Sequence, residues 1–303
     1  MIPKISPCNY NISSYSSKNN SYLNKNISFT SLPCTIDGYT DAYGTHRSTQ
    51  HTTALRNDLD YNKLAYIVDN YAKHGKNKFQ WFLERYFKKL PNTNKTENNL
   101  PKVTIYSAAG SDGTEAYAIA NAIIKKMGLD NAKKYVFPIK VSDVSEDIIE
   151  NYGKKGIIYL YDGEIEKLKA IKKYLTPTGN IYDGKIEDLK EYEISKEFRD
   201  LFTFETADLQ EKIENFPKAE KNELNIVIIR NCLAQAFGSF GTDNILYKIY
   251  NHLPLGSLVI FGDYDTKAIL PSVFKYPPLG LPLIDYKNNI YTVCSPPEFR
   301  DFL

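Results

Sequence analysis

Cysteine and histidine are scarce in this chain of 303 residues, four of each. Cys8, Cys34, Cys232 and Cys294 are scattered with no C-x-x-C spacing, so they read as free thiols rather than a disulfide frame. His46 and His51 have no adjacent Cys or acids, which makes solvated side chains the expectation and a metal site not. Net charge is also small: 38 Lys+Arg against 36 Asp+Glu leave +2, which gives no global attraction to nucleic acid or an anionic membrane. Apolar runs stop at strand length, as in Ile226 to Ile229 and Leu258 to Phe261. None approaches the ~20 residues of a membrane-crossing helix. Lys4 is followed by no apolar h-region, so a secretory signal is not expected and the compartment reads as cytoplasmic.

What is present is enough for a core, with 42% hydrophobic and 24% charged residues. The length points to one large domain with an appendage. Residues 1–57 are rich in Asn, Ser, Thr and Tyr, with only Asp37 and Asp41 as acids, and are expected to be a disordered tail or an arm that docks elsewhere. Residues 58–100 form a helical segment and linker. Leu64, Ile67 and Tyr71 share one helix face, and Phe79, Phe82, Leu83, Tyr86, Phe87 and Leu90 repeat at helical spacing until Pro91. The 24 Tyr and 15 Phe are read as packing residues, not as a base-stacking surface.

From Pro101 onward strands and helices alternate. Strands are expected at Val103–Tyr106, Tyr135–Val141, Leu201–Phe204, Leu224–Ile229, Leu258–Phe261 and Ile290–Val293. Helices are expected at Thr114–Met127, Glu146–Tyr152 and Asn244–Leu253. This order predicts an α/β fold for residues 101–303, a doubly wound, mostly parallel sheet with helices on both faces. A charge-rich insertion of helix and strand is expected at about 163–193. Ligands of such sheets sit at the carboxyl ends of the strands, so the polar residues there are the candidates for chemistry.

Three strand ends stand out. Ser107-Ala108-Ala109-Gly110-Ser111-Asp112-Gly113-Thr114-Glu115-Ala116-Tyr117 lets a ligand approach the backbone where a helix begins, or is a plain helix start with Asp112 and Glu115 as a capping box. Asp143, in Val141-Ser142-Asp143-Val144-Ser145, can accept both ribose hydroxyls of an adenosine, or stay solvated while Ser145 caps a helix. Arg230 and Asn231 close the buried run Ile226 to Ile229 and either make a structural turn or hold a ligand.

Together these segments resemble the CheR-type glutamate methyltransferases of chemotaxis receptors, over about residues 79–294. The family's S-A-A/G-x-S-x-G-E-E-P-Y is similar to Ser107–Tyr117, and its A/S-D-I/V-S leading to G-I-Y is similar to Ser142–Ser145 with Gly156-Ile157-Ile158-Tyr159. A Tyr-Phe pair, a strand with Phe and then N-L resemble Lys173-Tyr174-Leu175 followed by Phe202–Leu209. C-R-N resembles Ile229-Arg230-Asn231, and L-x-P-G-G-x-L-x-x-G resembles Leu253–Gly262. The resemblance implies a Rossmann-like class I fold that binds S-adenosylmethionine and releases S-adenosylhomocysteine. It implies that Ala109, Gly110 and Gly113 shape the cofactor turn and that Glu115 contacts the methionine moiety. Asp143 would hold the ribose, Asp208 and Leu209 would border the adenine, and Arg230 and Asn231 would line the site. The implied reaction methylates glutamate carboxylates in the cytoplasmic region of a receptor-like membrane protein. A carboxylate is already anionic at neutral pH, so this transfer needs no general base.

The chain departs from the family in three places. Phe82-Leu83-Glu84-Arg85 stands where F-F-R brings an Arg to the reacting end of the cofactor, and a shift of one residue turns a side chain by about 100° on a helix. Arg85 and Arg230 are the catalytic candidates. Gln235 occupies the place of a Tyr near the methyl group, and the basic N-terminal helical domain is reduced to residues 58–90. These departures keep an alternative open, a degenerate S-adenosylmethionine or S-adenosylhomocysteine sensor without turnover. In the family an antiparallel subdomain in the region of the 163–193 insertion docks a receptor's peptide tail, and the same role is an expectation here.

Overall fold

The computed structural model describes residues 59–75, 101–161, 163–181, 189–217, 223–230, 232–233, 238–254, 256–263, 265–266, 283–285 and 289–293. The expected tail at 1–57, the helix at 79–90 with Arg85, and Asn231 and Gln235 lie outside the described residues.

The described chain opens with α1 (Tyr61–His74), capped by the Asp60 carboxylate, which accepts the backbone N–H groups of Asn62 and Lys63. Gly75 closes it in the left-handed conformation, and Lys73 and His74 complement the helix dipole in its last turn. Leu64, Val68 and Tyr71 bury one face, with Ile67 half-buried beside them. Among the described residues the main sheet has seven strands. Five are parallel neighbours: β6 (Phe202–Thr206), β2 (Ile139–Asp143), β1 (Lys102–Ala108), β7 (Glu223–Ile229) and β8 (Leu258–Phe261), in that spatial order. β10 (Ile290–Thr292) then pairs antiparallel with β8, and β9 (Leu283–Asp285) antiparallel with β10.

The helices of this sheet are α2 (Thr114–Met127), α3 (Leu129–Tyr135), the short α4 (Glu146–Ile148) that continues into a π turn at Ile149–Gly153, α5 (Lys196–Arg199), α6 (Leu209–Glu214) and α7 (Gly238–His252). Strand alternation divides the core into two layers. Val103, Ile105, Ile226, Ile228, Leu258 and Ile260 pack with α1, α2 and α3 residues such as Leu64, Ile119 and Ala132. Tyr106, Ala108, Val227, Ile229, Val259 and Phe261 pack with Leu209, Ile213, Ile245 and Ile249 of α6 and α7. A strand covered on both faces is apolar along most of its length, which is why β7 from Ile226 to Ile229 and β8 read as continuous apolar runs. The expected doubly wound α/β fold with helices on both faces is the one observed.

The region around the expected insertion is a second sheet of three antiparallel strands, in the order β3 (Ile157–Tyr161), β5 (Leu189–Ile194) and β4 (Leu175–Ile181). Glu191 ties it together by accepting from the Tyr159 hydroxyl at 2.6 Å, the Thr178 hydroxyl at 2.9 Å and the Asn180 amide at 2.9 Å. Burial alone would raise the Glu191 pKa, but these donors together hold it below the usual carboxylate value. At its base Tyr174 stacks on Phe198, with ring centroids 4.7 Å apart.

Several boundaries differ from expectation: the helix expected from Asn244 begins at Gly238 as α7, and two further cases have a physical reason. Tyr135 ends α3 instead of opening β2, because α3 has a single buried apolar residue, Ala132, and so no periodicity to announce it. The helix expected at Glu146–Tyr152 is one short turn followed by the π turn, which sets Gly153 against the Phe204 ring.

Candidate active site at the strand switch

β1 lies between β2 and β7, and the chain winds outward from it in both directions, first to β2 and β6 and then to β7 and β8. The crevice at the carboxyl ends of β1 and β7 is therefore the switch point where doubly wound sheets take their ligands.

The turn after β1 carries alternating left-handed residues: Ala109 (φ 55°), Ser111 (φ 54°) and Gly113 (φ 88°). For Ala and Ser this conformation costs on the order of 1 kcal/mol each, and it persists only where neighbours over-determine it. The Gly110 N–H donates to the Ser142 carbonyl at 2.7 Å, the Ser111 N–H to the Asp143 carboxylate at 3.1 Å, and the Thr114 N–H to the Asp112 carboxylate at 2.9 Å. Gly110 is required for space rather than for φ. A Cβ there would sit 2.7 Å from Val141 Cγ1 and 2.9 Å from the Ser107 carbonyl oxygen. A Cβ at Gly113 would meet the Phe204 ring at 2.7 Å, and one at Gly153 the same ring at 2.6 Å.

Asp143, at the end of β2, is buried with 1% exposure. One carboxylate oxygen accepts from Ser111 and the other from the Ser145 N–H at 3.0 Å. Ser145 does cap α4, accepting from the Ile148 N–H at 3.4 Å, but Asp143 is not solvated beside it. The Ala207 N–H donates to the Asp143 carbonyl at 2.9 Å, bringing the exit of β6 alongside. There Asp208 caps α6 by accepting the Gln210 N–H at 2.7 Å, with Leu209 buried behind it.

Glu115 does not complete a capping box with Asp112. Its carboxylate reaches across the crevice and pairs with Arg230 Nη1, the side chains being 15% and 4% exposed. The same Nη1 donates to the Tyr61 hydroxyl oxygen of α1 at 3.3 Å. An ion pair this buried keeps both charges only because each neutralises the other. Just beyond, the fully buried Asp265 accepts the Cys232 N–H at 3.2 Å and the Leu233 N–H at 2.9 Å, holding the turn that carries Arg230. Burial, with Asp265 and Asp143 nearby, pushes the Cys232 thiol pKa well up, so the thiol stays protonated and is no nucleophile. Tyr106 is likewise held neutral by burial, bonded to the Ser142 hydroxyl at 2.7 Å.

The structure thus gathers Ala109, Gly110, Gly113, Glu115, Asp143, Asp208, Leu209 and Arg230 around the β1, β2, β6 and β7 ends. Ser111 belongs to the turn already singled out, while Tyr61 and Asp265 are additions that sequence reading missed. Asp60 marks a helix start, and an acid two residues past Asp263 marks a strand exit, but neither pattern tells which distant group is met. Among the described residues, no group of three or more His, Cys, Asp and Glu could hold a metal ion, and no helix is long and apolar enough to cross a membrane.

Comparison with known proteins places the chain. No curated protein matches it. Ten chains of solved structures match, two of which align at low similarity as follows. One is the plantazolicin methyltransferase BpumL in complex with SAH, with 13% identity, TM-score 0.26, and coverage of 71% of this chain and 54% of that one. The other is the same enzyme with a pentazolic desmethylPZN analog and SAH, with 14% identity, TM-score 0.25, and coverage of 80% and 67%. This chain therefore spans about half the length of the first of them. The family described as CheR methyltransferase, SAM binding domain, matches residues 76–276, more than half of the chain. The chain belongs to the CheR methyltransferase family, and S-adenosylmethionine is the cofactor of its matched domain.

Proposed function

We propose that this chain is a protein-glutamate methyltransferase, acting on side-chain carboxylates in the cytoplasmic region of a receptor-like membrane protein, in a chemotaxis-type pathway. The observation that carries the reading is the Glu115–Arg230 pair beside the strained turn and Asp143, at the switch point of a domain of this family. In this reading residues 101–303 are the methyltransferase domain, 58–100 a helical segment and linker, and 1–57 a tail, all in the cytoplasm.

The residues present fit the cofactor. Its ribose offers two adjacent hydroxyls, and Asp143 is a buried acceptor with both oxygens pointed by backbone amides. Its methionine end offers an ammonium and a carboxylate, and Glu115 with Arg230 presents one charge of each sign. The turn from Ala109 to Gly113 brings backbone rather than side chain to the ligand, and in this reading Asp208 and Leu209 are assigned to the adenine and Asn231 to lining the site. When bound, the cofactor supplies a sulfonium-activated methyl group. The protein's share is positioning and exclusion of water, because a glutamate nucleophile needs no deprotonation near pH 7. Arg85 and Arg230 are the groups assigned to steer the incoming carboxylate and the cofactor's charged end.

The test is transfer of tritiated methyl from S-adenosylmethionine to membrane-fraction proteins, with the label released by mild base as expected for a methyl ester. Base-stable label would move the reaction to an amine acceptor. Tight cofactor binding with no transfer to any protein would favour the non-catalytic sensor, which the Gln235 substitution already motivates.

A further inference from the structure

We infer that α1 is coupled to the cofactor site through Tyr61, which acts as a positioning residue for Arg230. The inference rests on the proposed reading of Glu115 and Arg230 as cofactor-site residues. α1 ends at His74, before the matched domain begins at residue 76, yet it supplies a polar contact inside that domain's crevice.

The geometry gives Tyr61 a definite task. Arg230 Nη1 carries two hydrogens, one directed at the Glu115 carboxylate of α2 and one at the Tyr61 hydroxyl oxygen. With both used, the guanidinium plane cannot rotate about its bond to Glu115 without breaking one contact. Tyr61 does this as a neutral acceptor, so it orients the cation without competing for its charge. Its own placement is strict. Tyr61 is the first residue of α1, directly after the cap Asp60, and the helix is anchored by Leu64, Val68 and Tyr71 in the same apolar layer as Ala116, Ile119 and Ile123 of α2. A shift of one helical turn along α2 would move the hydroxyl about 5 Å, out of hydrogen-bond reach. Docking of α1 and orientation of Arg230 are therefore one event, and by linkage a ligand that needs Arg230 in this orientation also favours docked α1.

The coupling is tested on the full chain with S-adenosylhomocysteine as the probe. Two readouts are used: calorimetric affinity, and amide hydrogen exchange of residues 64–72 with and without ligand. Tyr61→Phe keeps the ring in place and removes only the oxygen. The expected results are roughly ten-fold weaker affinity for Tyr61→Phe, the cost of one hydrogen bond to a charged group at its low end, and slower exchange in α1 on ligand addition in the parent chain but not in the variant. In an Arg230→Gln background, Tyr61→Phe is expected to have no further effect on affinity. If the parent binds the probe but Tyr61→Phe binds equally well and α1 exchange ignores ligand, the coupling is overturned while the cofactor site stands. If the parent chain binds no probe at all, the underlying site reading falls, and this inference with it.

Discussion

The Ser111 N–H donates to the Asp143 carboxylate at 3.1 Å, so the turn after β1 is held in its left-handed conformation by the acid at the end of β2. One side chain therefore fixes the backbone that frames the crevice, and in the proposed reading it is also the group that faces the ribose. This dual use makes Asp143 the most informative position in the site.

Asp143→Ala is expected to weaken S-adenosylhomocysteine binding more than ten-fold, since charge-assisted hydrogen bonds contribute roughly 1.5–3 kcal/mol. Calorimetric titration measures it. Unchanged affinity would put the ribose elsewhere.

Removing one partner of the Glu115–Arg230 pair strands the other charge where both side chains are almost fully covered. Glu115→Ala should lower unfolding stability by roughly 3 kcal/mol, read from urea denaturation. A loss below about 1 kcal/mol would mean that the pair opens to water in solution.

Phe204 lies against two glycines, and a methyl group at Gly153 would come within 2.6 Å of its ring. Gly153→Ala is expected to cost about 1–3 kcal/mol through overpacking. Phe204→Leu in the same chain should recover part of that loss, because it removes the atoms in the way. No recovery in the double variant would assign the cost to the π turn itself.

Glu191 gives a pH signature. Its pKa is held low by its three donors, so its stabilising contribution is present above the unfolded value of about 4.3 and is lost as pH falls through the lower folded value. Glu191→Gln should be less stable than the parent by roughly 1 kcal/mol at pH 7. The gap should begin to shrink as pH falls below the unfolded value and close only below the lower folded value, as thermal unfolding over a pH series would show. A gap independent of pH would point to packing instead of charge.

Asp265 is buried at 0% exposure and accepts two backbone amides, so Asp265→Ala leaves two unpaired donors in the core. A loss of about 2–4 kcal/mol is expected, with cofactor affinity falling as well because the Arg230 turn loosens. Binding at parental affinity in a folded Asp265→Ala chain would separate the cap from the site.

Much of the fold is legible in the sequence. α2 spans Thr114–Met127 and β8 spans Leu258–Phe261, both as expected, because period-3.6 and unbroken apolar runs follow directly from which faces a segment must bury. The residues at the ends of β1, β2 and β7 could also be picked out, since a polar residue closing an apolar run needs a partner or a ligand. α3 could not, having one buried residue in its whole length, and the second sheet was legible only through the family resemblance, since charged side chains hide its strand order and pairing.

By itself the sequence determined the alternation of strands and helices, the family and the list of candidate residues, because those depend on local periodicity and on motifs read along the chain. Only the tertiary structure decided that Glu115 turns from the helix cap to Arg230, that Asp143 is buried under two backbone amides, and that Tyr61 reaches the crevice from outside the matched domain. Such contacts join residues far apart in the chain, and a charged or polar side chain is equally compatible with solvent, a cap or a distant partner until packing removes the water.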